Sequence, residues 1–382
     1  MIPGVQGTVM IDPQAPDEER YKFFGITFGS AIRHWPDQLS GAHTYRCFVC
    51  CSPDGIQWRR LAGPCATPYY TDTQNQMLYD SERGIYAAYL RSLNDFGRAI
   101  SRAESSDPAA VPWPADYSRP WQEIFDDRYA HIDEEAFPTV LSADAHDPPD
   151  TDLYNPSITR YEGYYLSFPS VYRHYPEQKA DQDSDEYRGR GQGAGFANDG
   201  PLEVQMAVSR DGKSFERPDR TPYVALGPQG SFDGGTLYLG VGMLSRGNEW
   251  YQYCTASPMT HGAQSGGARS SAIARLIQTR DRFMAVEADR AGGELTTAPV
   301  RQSGRHLVAN ADCGAMGLIR FELSSTDGSV VDGFSFDDCD PVDLNQIEKI
   351  VTWRGKGTLP AGSFRIGARL MSTRLYSLRF VG

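Results

Sequence analysis

A unit that recurs four times along the first three quarters of the chain constrains the fold most strongly. Each unit has an apolar strand, a short turn, a tyrosine-rich alternating strand, a variable loop, a third strand, a charged turn and a short fourth strand. Alternation with β-branched and aromatic enrichment favours strands over helices. Because one four-stranded sheet cannot bury both of its faces, neighbouring units must stack around an axis. The repeat predicts an all-β fold, a β-propeller with four visible blades, whose first strands begin near Gly7, Gln76, Ser157 and Leu237.

A second domain is predicted after the repeat ends near Ala288. There, short strands are separated by turns at intervals of about 8–12 residues, a spacing typical of a β-sandwich. A chain of 382 residues also exceeds what one ordinary core requires. We therefore expect a propeller domain at residues 1–287 and a β-sandwich at residues 288–382. Two excursions interrupt the blades: residues 107–149, with a short helix near residues 121–128, and the polar insertion at residues 177–198.

Two charged turns, at residues 52–58 and 209–215, share the pattern Ser-x-Asp-Gly-x-x-aromatic. They resemble the Asp boxes of sialidases, although the spacing differs and no convincing arginine triad accompanies them. An aspartate in such a turn accepts hydrogen bonds from the turn itself, and the glycine adopts positive φ. The pattern therefore predicts a structural role.

Composition limits the classes of partner. The net charge of -12 argues against a nucleic-acid surface, because phosphate would be repelled. No apolar run approaches the roughly 20 residues of a membrane span. No basic segment leads into an apolar stretch at the start, so we expect a chain that is cytoplasmic or lacks its natural beginning. The seven cysteines are an odd number, so at least one has no disulfide partner within the chain; we expect free or buried thiols rather than a zinc site, and a Cys313–Cys339 disulfide stays open.

Short stretches spread over nearly the whole chain carry a family resemblance. With the blades laid out, the sequence resembles a bacterial group of five-bladed propeller proteins related to glycoside hydrolase families 32 and 43, with a C-terminal β-sandwich. The resemblance implies one more blade before Gly7, so the first blade is missing or incomplete here, and it implies a secreted or periplasmic protein. The Trp-Met-Asn-Asp-Pro-type nucleophile signature of family 32 is absent. The matching stretches are residues 7–21, 72–75, 152–154, 199–205, 230–233, 310–312 and 375–377.

Three aspartates recur at one place in the predicted repeat. Asp72, Asp152 and Asp233 each lie within about five residues of the start of a first strand. In a propeller these strands begin at one mouth of the central funnel, so residues far apart in sequence converge there. Glu203 opens the third strand of its blade, and burial could raise its pKa towards the range of a general acid.

Glycoside hydrolysis needs two carboxyl groups, one acid and one nucleophile or base. Our hypothesis makes Asp72 the nucleophile or base, Asp152 the transition-state stabiliser and Glu203 the acid. The alternative is that these acids cap turns or bond loop amides. Around them we expect side chains that hold sugar hydroxyls or stack on a sugar ring. These are Asp233, Arg91, Asn75, Tyr154 and His174, with His34 and Trp35 as further loop residues.

The sequence therefore leaves three functions open. The first is a glycoside hydrolase-like protein that acts on a poly- or oligosaccharide without an organic cofactor. The others are a catalytically inactive carbohydrate-binding propeller and a scaffold that binds another protein. The partner expected is a carbohydrate, with neither nucleic acid nor membrane. The sugar, the retaining or inverting outcome, and the presence of a structural calcium ion stay open.

Overall fold

A computed structural model describes residues 5–27, 45–61, 63–94, 97–176, 197–263 and 271–382. It is nearly all β, with 46% strand and 3% helix. The one α-helix of the described residues, α1 (Trp121–Asp126), confirms the short helix predicted there. A 3-10 turn covers Asp17–Glu19. None of the helices in these ranges has the length and apolar character to cross a membrane.

The chain divides into two compact units. The first contains Met1–Met243 and Gln252–Leu276, and the second contains Leu244–Tyr251 and Ile277–Gly382. The domain boundary predicted at residues 287/288 therefore falls inside the second unit.

The first two sheets of the first unit follow the repeat as predicted. Each is a meander, with four antiparallel strands that neighbour one another in chain order. The first sheet contains β1 (Val5–Ile11), β2 (Tyr21–Thr27), β3 (Cys47–Ser52) and β4 (Arg59–Arg60), and the second contains β5 (Gln76–Asp80), β6 (Ile85–Asn94), β7 (Gly97–Ser105) and β8 (Thr139–Leu141).

The third predicted unit is divided between two sheets. Pro169 lacks a backbone N–H and stands where the tyrosine-rich strand would continue, so the chain leaves one sheet and enters another. Opposite Pro169, the backbone N–H of Gln205 donates to the Pro169 carbonyl at 3.1 Å. Gln205 itself lies between two short strands rather than within one long strand. The third sheet contains β10 (Ile158–Tyr161), β11 (Tyr164–Ser167) and β14 (Ala207–Ser209), whereas β9 (Thr151–Tyr154), β12 (Ser170–Arg173) and β13 (Leu202–Val204) belong to the fourth.

The fourth sheet also holds the strands of the fourth predicted unit. They join through a short parallel pairing of Leu202 with Thr236. The four sheets fit the repeat in part, and the closed ring of a propeller stays a prediction. The added strands are β15 (Thr236–Leu239), β16 (Leu244–Arg246), β17 (Glu249–Ser257) and β18 (Ala272–Thr279).

Buried Asp–Tyr hydrogen bonds link consecutive sheets. Asp12, just after β1, accepts the Tyr86 hydroxyl of β6 on both carboxylate oxygens at 3.0 Å. Asp80, which ends β5, accepts the Tyr165 hydroxyl of β11 on its Oδ2. Each tyrosine is the second residue of its strand, so the repeat itself sets the position of this contact.

We expect Tyr86→Phe to lower the free energy of unfolding by about 1.5–3 kcal/mol, because a buried carboxylate loses a hydrogen bond. Asp12 keeps its contact with Lys22 Nζ at 3.3 Å, so the fold should survive. Urea denaturation measures the change. Tyr129→Phe is the control: Tyr129 is 58% exposed, so this substitution should change the free energy of unfolding by less than about 0.5 kcal/mol. Equal effects of the two substitutions would contradict the role of the Asp12–Tyr86 contact.

The two Ser-x-Asp-Gly turns are structural, as predicted. Asp54 accepts the amides of Ile56 and Gln57 at 2.8 Å, and Asp211 accepts those of Lys213 and Ser214 in the same pattern.

The second unit has two antiparallel sheets around one core. Phe321, Trp353 and Ile366 are among the side chains buried there. All seven cysteines are buried and free, so the Cys313–Cys339 disulfide is absent. Two sheets around one core are compatible with the sandwich expected from the sequence, which stays a prediction. The strands are β19 (Val286–Ala288), β27 (Thr373–Val381), β22 (His306–Asp312) and β25 (Asn345–Ile350) in one sheet, and β20 (Gly293–Thr296), β21 (Val300–Arg301), β26 (Ser363–Met371), β23 (Leu318–Ser324) and β24 (Val342–Asp343) in the other.

Candidate functional site

An open cavity of about 1020 Å³ lies in the first unit. The first sheet borders it on one side and the fourth sheet on another, with the loops that precede β5 and β10 between them. Its lining mixes aromatic rings with hydroxyl, amide and carboxylate groups, which suits an amphipathic ligand. The lining residues include Phe23, Tyr45, Asp72, Thr73, Tyr154, Asn155, Asn198, Tyr238 and His261.

Asp72 and Arg91 form a buried ion pair at the cavity wall. Arg91 Nε donates to Asp72 Oδ1 at 2.5 Å, and a second guanidinium nitrogen contacts Oδ2. Burial alone would raise the pKa of Asp72, but the adjacent Arg91 charge outweighs it and the pKa is lowered. The carboxylate is 23% exposed and the guanidinium 2% exposed. Asp72 is therefore ionised at neutral pH and reaches the cavity, whereas Arg91 lies behind it.

Asn75 holds the loop that carries Asp72. Its side chain is fully buried, and its Oδ1 accepts from the Arg91 amide and the Thr71 hydroxyl at 3.0 Å each. Its Nδ2 donates to the Asp72 carbonyl at 3.2 Å. Asn75 thus supports the site from below, and it does not line the cavity.

Asp152 lies within β9, one layer behind the cavity, and not in a loop before a strand as its sequence position suggested. Its carboxylate accepts from Arg98 Nη1 at 2.6 Å, from the Arg98 amide at 3.0 Å and faces His174 Nε2 at 2.8 Å. Burial would raise its pKa, but the His174 contact and the Arg98 charge outweigh it and the pKa is lowered. The side chain is only 7% exposed and does not line the cavity, so a ligand there does not reach it directly.

Arg98, which the sequence analysis did not select, joins Asp152 to the cavity wall. Its Nη2 donates to Asn198 Oδ1 at 2.8 Å. Its guanidinium carbon lies 5.4 Å from the ring centres of both Tyr154 and Tyr172. The sequence signal was the Gly97-Arg98 pair at the start of β7, but the partners of Arg98 lie more than 50 positions away.

His174 is buried beside this group rather than in the cavity. Its Nδ1 faces the Ala197 carbonyl at 2.8 Å, and its ring stacks on Tyr172 with 3.9 Å between ring centres. Tyr154, by contrast, lines the cavity and contacts the rings of Tyr238 and His261 at 6.1 and 5.4 Å. Of this pair, only Tyr154 lies where a ligand would contact it.

His261 is a second cavity residue that the sequence analysis missed. Its Nδ1 lies 2.9 Å from the Tyr238 hydroxyl. Burial, followed by the nearby Arg98 charge, lowers the pKa of His261 to about 4, although the Asp72 charge acts in the opposite direction. The ring is therefore neutral at pH 7 and adds no positive charge to the cavity.

This lowered pKa predicts a pH-dependent stability. As the pH falls below about 6.5, the unfolded chain protonates His261 while the folded chain does so only near pH 4, so the free energy of unfolding falls between these values. His261→Asn should remove part of this loss, as measured by urea denaturation across that interval. The lowered pKa values of Asp72 and Asp152 act below their ordinary 3.8, outside the interval. Identical pH slopes for the two proteins would contradict the prediction.

Glu203 and Asp233 are not brought to this site. Glu203 in β13 pairs with Val171, whereas Asp152 pairs with Tyr172, so the two acids lie on opposite faces of the sheet. Burial raises the pKa of Glu203, opposed by Arg173. Asp233 accepts the Ser231 hydroxyl at 2.6 Å within its own turn and does not line the cavity. Of the four predicted acids, Asp72 lines the cavity, and Asp152, Glu203 and Asp233 do not.

Three non-glycine residues of the cavity lining have left-handed backbone. Tyr45, Thr73 and Asn155 have φ of 67°, 60° and 49°. Thr73 is β-branched, for which this conformation is unusual and costs energy. The Thr73 hydroxyl donates to Asn155 Oδ1 at 2.7 Å, which joins the loops that precede β5 and β10. Such strain clusters at binding sites, which supports this cavity as the functional one.

Three sequence predictions fall outside the described residues: His34, Trp35 and nearly all of the polar insertion at residues 177–198. Within the described residues, no three His, Cys, Asp or Glu side chains are grouped so that they could bind a metal ion.

Comparison with known proteins gives structural similarity alone. No family model and no curated protein matches the chain. A glycosyl hydrolase from Bacteroides ovatus matches at 12% identity over 73% of this chain and 65% of that one, with a TM-score of 0.39. A Bombyx mori GH32 β-fructofuranosidase variant in complex with sucrose matches at 9% identity over 98% and 79%, with a TM-score of 0.36.

An N-acetylgalactosamine deacetylase from F. plautii, in complex with blood group B trisaccharide, matches at 15% identity over 66% of this chain and 80% of that one, with a TM-score of 0.29. Most of the similar structures are glycosidases or glycoside hydrolases. Their identities and TM-scores are too low for an activity to be transferred to this chain.

Proposed function

We propose that this protein binds a poly- or oligosaccharide in the cavity around Asp72. The observation that carries the proposal is an ionised carboxylate, fixed by a buried arginine, in a cavity with aromatic walls. Carboxylates accept hydrogen bonds from sugar hydroxyls, and aromatic rings pack against the apolar faces of sugars. Asp72 and Tyr154 supply these two kinds of contact.

Glycoside hydrolysis is the second candidate, because an ionised Asp72 open to the cavity suits a nucleophile or base. The reaction also needs a carboxylic acid that protonates the leaving group. Among the described lining residues, Asp72 is the one carboxylate, and Asp152 is buried behind the wall. Glu203 has the raised pKa of a general acid but lies on the other face of its sheet. Carbohydrate binding is therefore better supported than glycoside hydrolysis.

A glycan array combined with a reducing-sugar assay tests the proposal. Binding to a set of glycans without release of reducing ends would support a carbohydrate-binding protein. Release of reducing ends from the glycans that bind would favour the hydrolase instead. The absence of both binding and release across the array would contradict the proposed function.

A further inference from the structure

We infer that Arg98 is a positioning residue of the cavity, holding Tyr154 and Asn198 in its wall, with Asp152 as its counter-ion. The inference rests on the proposed function where ligand affinity is concerned. Arg98 does not line the cavity, and its side chain is 2% exposed. Its contribution is therefore to the arrangement of other side chains.

The guanidinium connects two parts of the wall that are far apart in sequence. Nη2 donates to Asn198, and the charge lies against the ring of Tyr154, on β9. A cation over an aromatic face attracts the ring, more strongly where water is excluded. One buried charge thus fixes an amide and an aromatic ring that both line the cavity.

Asp152 holds the guanidinium in place. Its Oδ2 accepts from Arg98 Nη1, and its Oδ1 accepts the Arg98 amide, so side chain and backbone are fixed by one carboxylate. His174 contacts the same Oδ2 and reaches the Ala197 carbonyl on its other side. Ala197 is adjacent to Asn198, so the buried group fixes this segment at two points. This geometry gives Asp152 a positioning role in place of direct stabilisation of a reacting sugar.

Arg102 offers a matched control in the same unit. Its guanidinium lies 5.2 and 5.5 Å from the ring centres of Tyr89 and Tyr165, and its side chain is also 2% exposed. It donates to the Gly212 carbonyl at 2.8 Å. None of these partners lines the cavity. Replacing Arg102 therefore removes a buried, stacked arginine without touching the wall.

The experiment compares Arg98→Met, Arg98→Lys and Arg102→Met with the unmodified chain. The Ala197 amide donates to the Tyr175 carbonyl at 2.8 Å. Its hydrogen-exchange rate therefore measures, without any ligand, how firmly the segment next to Asn198 is held. We expect Arg98→Met to speed this exchange about tenfold or more and to weaken binding of an array-selected glycan by a similar factor. Arg102→Met should leave both within about twofold. Arg98→Lys keeps the positive charge but loses the planar guanidinium, so its exchange rate and its glycan affinity should lie between those of the two methionine variants.

Equal exchange at Ala197 in Arg98→Met and Arg102→Met would overturn the positioning role. Faster exchange with unchanged glycan affinity would overturn its link to the ligand. If the methionine variant does not fold, Arg98→Lys against Arg102→Lys decides by the same two measurements. A chain that binds no glycan would overturn the proposed function, while the exchange measurement still decides the role of Arg98.

Discussion

Asp72→Ala is expected to lower the free energy of unfolding by about 3 kcal/mol and to weaken glycan binding at least about tenfold. The stability loss arises because Arg91, 2% exposed, keeps its charge without its carboxylate partner. Removing one member of a buried pair costs about 3–5 kcal/mol, and the 23% exposure of Asp72 places this pair at the lower end. Chemical denaturation and titration calorimetry measure the two effects.

The double substitution Asp72→Ala with Arg91→Met separates stability from binding. It removes both charges, so most of the lost stability should return, since a buried pair is often replaceable by apolar side chains. Binding should stay weak, because the carboxylate that would accept sugar hydroxyls is gone. If the double variant binds glycan as tightly as the unmodified chain, Asp72 has no part in recognition.

Gly97→Ala is also expected to have a large effect, lowering the free energy of unfolding by about 3 kcal/mol or more. Gly97 has φ of 108°, and a Cβ built there would lie 2.1 Å from Asp152 Oδ1. An added methyl group must therefore displace the carboxylate that holds Arg98. The backbone conformation alone costs roughly 1–2 kcal/mol for a non-glycine residue, and loss of the buried pair adds the rest.

Gly163→Ala is the control for Gly97→Ala. Gly163 also has positive φ, 78°, but a Cβ there meets nothing within 4 Å. It should therefore cost only the backbone term, about 1–2 kcal/mol. Denaturation curves of the two variants measure the difference. Equal losses would show that the approach of Gly97 to Asp152 has no energetic consequence.

The sequence predicted correctly those parts of the fold that depend on residues close together along the chain. The first two sheets, α1 and the turns at Asp54 and Asp211 depend on alternation, turn residues and short-range hydrogen bonds. The division of the third unit was missed. It depends on where the chain beyond Pro169 finds a partner, which is a contact between distant strands and leaves no periodic signal.

The candidate site shows the same limit. Asp72 and Arg91 were selected separately, and the structure brings them into contact because the loop before β5 lies beside β6. The sequence analysis expected Glu203 beside the other acids, but its side chain lies on the opposite face of the sheet from Asp152. Side chains alternate between the two faces of a strand, so a shift of one residue moves a side chain to the other face. Arg98 and His261 escaped notice because their importance comes from partners more than 50 residues and 23 residues away, respectively.

A structure of the protein with an array-selected oligosaccharide tests the central claim most directly. We predict a sugar hydroxyl within about 3 Å of the Asp72 carboxylate and the apolar face of that ring against Tyr154. A ligand held elsewhere would contradict the account. One such place is the groove of about 530 Å³ lined by residues 139–142 and 215–218.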